Sequence, residues 1–331
     1  YRYGRKLLTH QPVHHYITVN GTTFPSSSIQ SINRVIMADI KPTKTITYKT
    51  IDKLEIPLDI YLPSNTSKAP ILLWFHGGGL LQGHRSQLAP WMRKAPENYK
   101  IAVISADYRF APQAGISEIC DDVHDCIKFI RTQLSAHLPS DSIDVTKLAV
   151  SGSSAGGYLT LLAGLYEDPK PNVILPIYPI TDPLGTFFTN PQPPPMGRPI
   201  VSREELAEHL DPNAPQIANN PTDGFRQNMY VRMMHDANLA KLWKVPESVD
   251  AANKWRLSRN VYERRSAPAY FLMGDADTCV GVEQADEVVG AMLGCGLEVV
   301  YERVHGKDHF LDVAPDYENE PFFQFMLNHF K

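Results

Sequence analysis

The stretch KLAVSGSSAGGYLTLLAGLY, residues 147–166, decides the fold. Lys147–Val150 reads as a short buried strand, and Ala155–Tyr166 carries the apolar density of a helix. Between them Gly152-Ser153-Ser154-Ala155-Gly156 forms the pattern G-x-S-x-G. Alone the pattern is weak. Set between a strand and a helix it marks a tight turn that lifts a serine hydroxyl clear of a sheet. Such a turn admits only small neighbours, which accounts for Gly152, Ala155, Gly156 and Gly157. Only Ser154 has glycine two places before and two places after it, whereas Ser153 has Ser151 at the first of those places. Ser154 is therefore the candidate nucleophile.

Working outward, upstream and downstream segments supply what such a serine needs. Ile71–Phe75 is a continuous apolar run of strand length, followed by His76-Gly77-Gly78-Gly79. Three glycines let a substrate carbonyl approach backbone amides closely. The amides of Gly77, Gly78 and Ala155 are the candidate oxyanion donors, and His76 is read as holding the loop's shape. No Gly-Lys-Ser/Thr follows, so a phosphate cradle is unsupported. A serine hydroxyl also needs a base. Gly274-Asp275-Ala276-Asp277 follows the predicted strand Ala269–Met273, and His305-Gly306-Lys307-Asp308-His309 follows the predicted strand Leu297–Val304. In this fold the order is serine, acid, histidine. Asp277 and His309 lie deeper in their loops than Asp275 and His305, and are the candidate orienter and base.

The remaining pattern alternates strand and helix. Thr45–Thr50 and Ile56–Leu62 read as a hairpin, and Ile101–Ala106 and Val173–Tyr178 as buried strands. Ile116–Leu134, Val282–Leu293 and Phe322–Phe330 read as helices. The expectation is an α/β fold, a mostly parallel sheet with helices on both faces. Residues 45–180 and 267–331 form the expected core. Residues 181–266 show no strand, open Pro-rich and carry Trp243, Trp255 and Met229, so they read as an inserted helical lid. Residues 1–44 read as an N-terminal arm belonging to the cap. Phe187, Phe188, Tyr230 and Met233, together with Phe225 and Met234, are expected to form an apolar acyl pocket.

Composition narrows the partners. The 331 residues are 43% hydrophobic and 21% charged, with a formal net charge of −4 and no clustering of Lys and Arg. Nucleic acid is not an expected partner. No run approaches the length of a membrane-spanning helix. Arg2, Arg5 and Lys6 are followed by no apolar run, so no signal peptide is read; the chain opens on Tyr1, and a processed or truncated start stays open. Cys120, Cys126, Cys279 and Cys295 make no C-x-x-C pair, so no metal is expected. They read as reduced thiols of a cytoplasmic protein, with a secreted protein carrying one bridge as the alternative. The expected partner is a small apolar acyl substrate, with no cofactor; oligomeric state is not legible.

These pieces together resemble the hormone-sensitive-lipase-like branch of α/β-hydrolases. The resemblance rests on His76–Gly79, on Asp107-Tyr108-Arg109-Phe110-Ala111-Pro112, on the elbow, on Asp277 and on His309. It covers about 54–180 and 269 to the end. It implies an α/β-hydrolase fold with an eight-stranded, mostly parallel sheet, a Ser154/Asp277/His309 triad and hydrolysis of carboxylic esters without cofactor. The chain departs from the branch at Ser153, where Asp is usual, at Gln113, where Glu is usual, and in the length of the lid. Lactone or amide cleavage remains open, as do arylformamide cleavage and acyl transfer or cyclisation from the same acyl-enzyme. A binding protein on a hydrolase scaffold is the reading from another class. Such proteins commonly lose a triad member, and here all three are present.

Overall fold

The computed structural model describes residues 16–19, 22–25 and 40–331. The chain divides into two units, Tyr1–Lys41 and Pro42–Lys331. Most of the expected arm, residues 1–44, lies outside the described residues. Within it Tyr16–Val19 (β1) pairs antiparallel with Thr22–Pro25 (β2).

The second unit is built on an eight-stranded sheet. Its strands are β3 (Lys44–Ile51), β4 (Leu54–Tyr61), β5 (Ala69–Phe75), β6 (Ala102–Ala106), β7 (Ile143–Ser153), β8 (Val173–Ile177), β9 (Ala269–Gly274) and β10 (Val299–Val304). They lie in the order β10-β9-β8-β7-β5-β6-β4-β3. Only β4 runs against its neighbours, pairing antiparallel with both β3 and β6. β6, β8 and β9 are buried at every residue. A strand buried on both faces requires layers on both sides, and helices connecting parallel strands supply them.

Most elements begin and end within two residues of their expected places. β7 is longer than expected. Its first residues pair with β5 at Ala69↔Ile143 and Pro70↔Asp144, beyond a register irregularity at Pro70/Ile71. Long-range pairing, invisible to local periodicity, extends the strand. A helix at Pro90–Tyr99 was not among the expected elements; Pro90 occupies its first turn, where a missing N–H costs nothing.

The inserted segment 181–266 is helical, with helices at Asn228–Asp236 and Leu257–Arg264 and shorter pieces between. Its ends are tied together: the Leu257 amide donates to the Thr181 carbonyl at 3.0 Å, and Arg256 pairs with Asp182 at 2.8 Å. Its second half belongs to the core. Trp243 and Leu257 are fully buried. The Tyr158 hydroxyl, on the helix after the elbow, donates to the Trp255 carbonyl at 2.9 Å. Gln113 explains one departure from the branch. Its amide nitrogen donates to the His209 and Asp211 carbonyls at 3.0 and 2.6 Å, and its oxygen accepts from Arg226 at 2.8 Å. A glutamate there could not donate to the insert.

Candidate active site

The elbow is a strained junction. Ser154 lies between β7 and the helix Ala155–Tyr166 with φ 58° and ψ −117°. That conformation is costly for a residue with a Cβ, on the order of 1–3 kcal/mol. It is held from three sides. The Ser154 amide donates to the Ile177 carbonyl at 2.8 Å, and its carbonyl accepts from the Tyr158 and Ile180 amides at 3.2 and 3.1 Å. Gly156 permits the approach of β5, because a Cβ there would stand 2.0 Å from the Phe75 carbonyl oxygen.

The glycine loop folds against this turn. A Cβ on Gly77 would lie 3.1 Å from the Ser154 Cβ. Gly78 has φ +104° and leaves no room for a side chain beneath the Gln82 carbonyl. Ala155 opens the helix, where amides lack intrahelical acceptors. The three expected donors, Gly77, Gly78 and Ala155, therefore come from segments meeting at Ser154. Trp243 donates its indole N–H to the Gly79 carbonyl at 2.7 Å, tying the insert to the loop.

His76 is fully buried under the loop. Its Nδ1 donates to the Gly77 carbonyl at 2.8 Å, and its ring stacks on Tyr108 at 4.3 Å. The Tyr108 hydroxyl donates to the His76 carbonyl at 2.7 Å. Burial pushes the imidazole down to about 4, against the pull of the Asp107 carboxylate 3.8 Å away. The unfolded chain therefore takes up this proton first, near the ordinary histidine pKa of about 6.5. The stabilisation is complete above about pH 6.5 and is lost as pH falls towards 4. The slope is up to ~1.4 kcal/mol per pH unit. Urea unfolding from pH 7 to 4 should show it, with a shallower slope in His76→Gln; equal slopes would refute the assignment.

The four acid and histidine candidates sort into two pairs. Asp277 Oδ2 meets His309 Nδ1 at 2.7 Å, and both side chains are almost wholly buried. Asp277 Oδ1 accepts from the Cys279 and Val280 amides, each at 2.8 Å. That leaves the carboxylate one free edge, aimed at the imidazole. Asp308 locks the two loops together, accepting from the Thr278 and His309 amides at 2.7 Å each. Asp275 instead pairs with His305 at 2.9 Å, and the His305 side chain is 98% exposed. The hydrogen bond from His305 holds the Asp275 carboxyl below its ordinary range.

Ser154 and His309 line one cavity of about 50 Å³, with Gly78, Tyr230 and Cys279. A second cavity of about 130 Å³ also opens on Ser154 and on Gly77 and Gly78. Asp277, Cys279 and His309 present ligand-type atoms within 4.8 Å of one another. Burial and the Asp277 charge push the Cys279 thiol well up. Among the described residues all four cysteines are free.

The expected pocket residues divide. Tyr230 lines the smaller cavity, its hydroxyl donating to the Cys279 carbonyl at 2.7 Å. Phe188, Met233 and Met234 are packed in the core, and Phe187 stands edge-on to Phe188 at 5.0 Å. None of these four lines either cavity, nor does Phe225. Helical packing took the apolar side chains the sequence assigned to a pocket. The larger cavity has a mixed wall, with Gln82, Gln87, Arg198, Gln227 and Asp312 beside Trp74, Ala89, Tyr178, Phe310 and Val313.

Sequence reading also missed Tyr178 and Asp312. The Tyr178 hydroxyl donates to Asp312 at 2.7 Å, and its ring lies 4.3 Å from that of His309. Trp91 Nε1 donates to the other Asp312 oxygen at 3.2 Å. Burial raises the Asp312 carboxyl. Only the position of Tyr178 at a strand end hinted at this site.

Residues 58–191 match the BD-FAE family model. Among curated proteins, a non-reducing polyketide synthase of Preussia isomera is 29% identical over 203 residues, covering 58% of this chain and 9% of that protein. One from Aspergillus calidoustus is 25% identical over 326 residues, covering 82% of this chain and 13% of that protein. The chain thus spans a small part of these relatives' length. Among solved structures, an esterase of Pyrobaculum calidifontis has a TM-score of 0.63 at 19% identity, covering 91% of this chain and 89% of that one. A thermostable carboxylesterase from a metagenomic library, EstE1, has a TM-score of 0.61 at 17% identity, covering 92% and 94%. A Staphylococcus aureus Mu50 protein of unknown function has a TM-score of 0.68 at 18% identity, covering 86% and 96%. At these identities the likeness is one of fold. Strand order, the turn at Ser154 and these likenesses agree on an α/β-hydrolase fold.

Proposed function

We propose that the protein is a serine hydrolase that cleaves a carboxylic ester through an acyl-enzyme on Ser154. The observation that carries this reading is the buried Asp277–His309 pair, whose histidine shares a cavity with the strained Ser154. In the reaction His309 takes the Ser154 proton as the hydroxyl attacks the acyl carbonyl. Asp277 holds the imidazole in one tautomer and stabilises its positive charge. The amides of Gly77, Gly78 and Ala155 receive the oxyanion; losing one such donor typically costs about 2.7–4 kcal/mol. His309 then protonates the leaving alcohol, and water resolves the acyl-enzyme. The first half of the insert, through Pro195, Met196, Arg198, Gln227 and Tyr230, serves as the lid over the site.

The test is covalent. An aryl organophosphonate should add one phosphonyl group to the protein, and peptide mapping should place it on Ser154. An adduct on another residue, or none, would overturn the reading.

The polyketide synthase relatives favour a second reading of the same chemistry. In it the acyl group is a polyketide chain, and an alcohol, amine or carbanion rather than water takes it from Ser154. Supplying such acceptors and weighing transfer product against free acid separates the two.

A further inference from the structure

Among the described residues six arginines are paired with carboxylates of the fold, and the guanidinium at the active cavity is not one of them. Arg85 pairs with Asp59 and Asp107, Arg109 with Asp122, Arg203 and Arg232 with Asp236, Arg256 with Asp182 and Arg303 with Asp286. Arg198 lines both cavities beside Ser154, and among the described residues no carboxylate forms an ion pair with it. It follows a turn in which Met196 and Gly197 both have positive φ, 52° and 66°. That turn brings the chain across the cavity mouth.

A second observation points to a ligand on the same wall. Gln82 is more than nine-tenths buried and lines both cavities. Its Oε1 has no hydrogen-bond partner among the described residues. Burying such a group unsatisfied costs about 1–3 kcal/mol, a cost that a ligand supplying a donor would remove. Trp74, on the wall of the larger cavity, likewise has an unpartnered indole Nε1. The one acidic side chain lining these cavities, Asp312, is committed to Tyr178 and Trp91. An anion at Arg198 therefore meets a guanidinium that, among the described residues, has no carboxylate partner.

Resting on the serine-hydrolase reading, we propose that the substrate carries a carboxylate or equally acidic oxygen beside the scissile ester. Arg198 binds that anion, and Gln82 Oε1 accepts a hydrogen bond from a neighbouring hydroxyl of the same molecule. Arg198 is thus a specificity-determining residue. A guanidinium matches a carboxylate with two parallel N–H donors, which a lysine cannot reproduce.

The test compares paired esters. With the anion on the acyl side, the pair is mono-(4-nitrophenyl) glutarate and 4-nitrophenyl butyrate. With the anion on the alcohol side, it is 4-acetoxybenzoate and its methyl ester. The unmutated protein should prefer the anionic member of one pair, which tells on which side of the ester the anion lies. In Arg198→Met that preference, taken as a ratio of kcat/KM values, should fall by about 10–100-fold, with Arg198→Lys intermediate. Salt should lower the preference of the unmutated protein and of Arg198→Lys, and leave that of Arg198→Met unchanged. No preference in either pair, or an equal loss on both members in Arg198→Met, would overturn the proposal. If the esters are not turned over, labelling rates of Ser154 by neutral and carboxylate-tailed phosphonates replace kcat/KM with the same expected ratio. Absence of any Ser154 adduct overturns the serine-hydrolase reading itself; adducts formed at equal rates overturn only the anion site.

Discussion

Ser154→Ala is expected to lower kcat for ester hydrolysis by roughly 10⁶-fold, the loss seen when the nucleophile of a serine triad is removed. The side chain has no substitute: Ser153 is next in sequence but lacks the geometry of the elbow. Its carbonyl oxygen would lie 3.0 Å from a Cβ on Gly77, so its backbone packs against the glycine loop. Folding should be spared. Alanine and serine both carry a Cβ, so the backbone strain at φ 58° is the same in each. The hydrogen bonds that hold residue 154 in place are made by its backbone. A thermal melt within a few degrees of the unmutated protein, alongside lost turnover, is the expected pair of results. Ser154→Ala with substantial turnover would sink the proposed mechanism. Ser153→Ala should remain active, within about tenfold, because it removes no group that bonds to the reacting acyl.

Asp277→Asn should cost about 10⁴-fold in kcat, by the same logic that makes the buried triad acid essential. An asparagine keeps the shape but changes what the imidazole sees. Oδ1 of Asp277 already accepts two amide N–H groups at 2.8 Å. An asparagine must keep its oxygen there, which turns its NH₂ towards His309 Nδ1. The imidazole then carries its proton on Nε2, the nitrogen that has to take the serine proton. Asp275→Asn is the control. Its partner His305 is fully in water, and exposed pairs of this kind contribute little, so kcat should stay within about twofold. Equal losses in the two variants would overturn the assignment of Asp277 rather than Asp275 as the acid. The pH profile of kcat/KM separates the two cases further. The acidic limb that reports the base should be altered in Asp277→Asn and kept in Asp275→Asn.

The two pairs also show where reading by residue order stops. Both aspartates follow β9 within three residues, and both histidines follow β10 within five. Depth in the loop favoured Asp277 and His309, and the buried contact between them agrees with that choice. Sequence spacing could not have shown that Asp308 ties the loops together, since that contact joins residues 30 apart.

What the sequence by itself determined is the frame. Buried strands announce themselves as continuous apolar runs, and the elbow by glycines that no other turn would need. The alternation implied a mostly parallel sheet, while the strand order rests on long-range pairing. The local motifs therefore carried the fold class, the candidate serine, the glycine loop and the acid and histidine candidates. Only the tertiary structure decided what the substrate meets. Apolar side chains of the insert could enter either a pocket or a core, and hydrophobic burial took Phe188, Met233 and Met234 into the core. The vacant wall was left to Gln82 and Arg198, whose significance lies in partners they do not have. A missing partner is a property of three-dimensional neighbours, and no local pattern of residues can encode it.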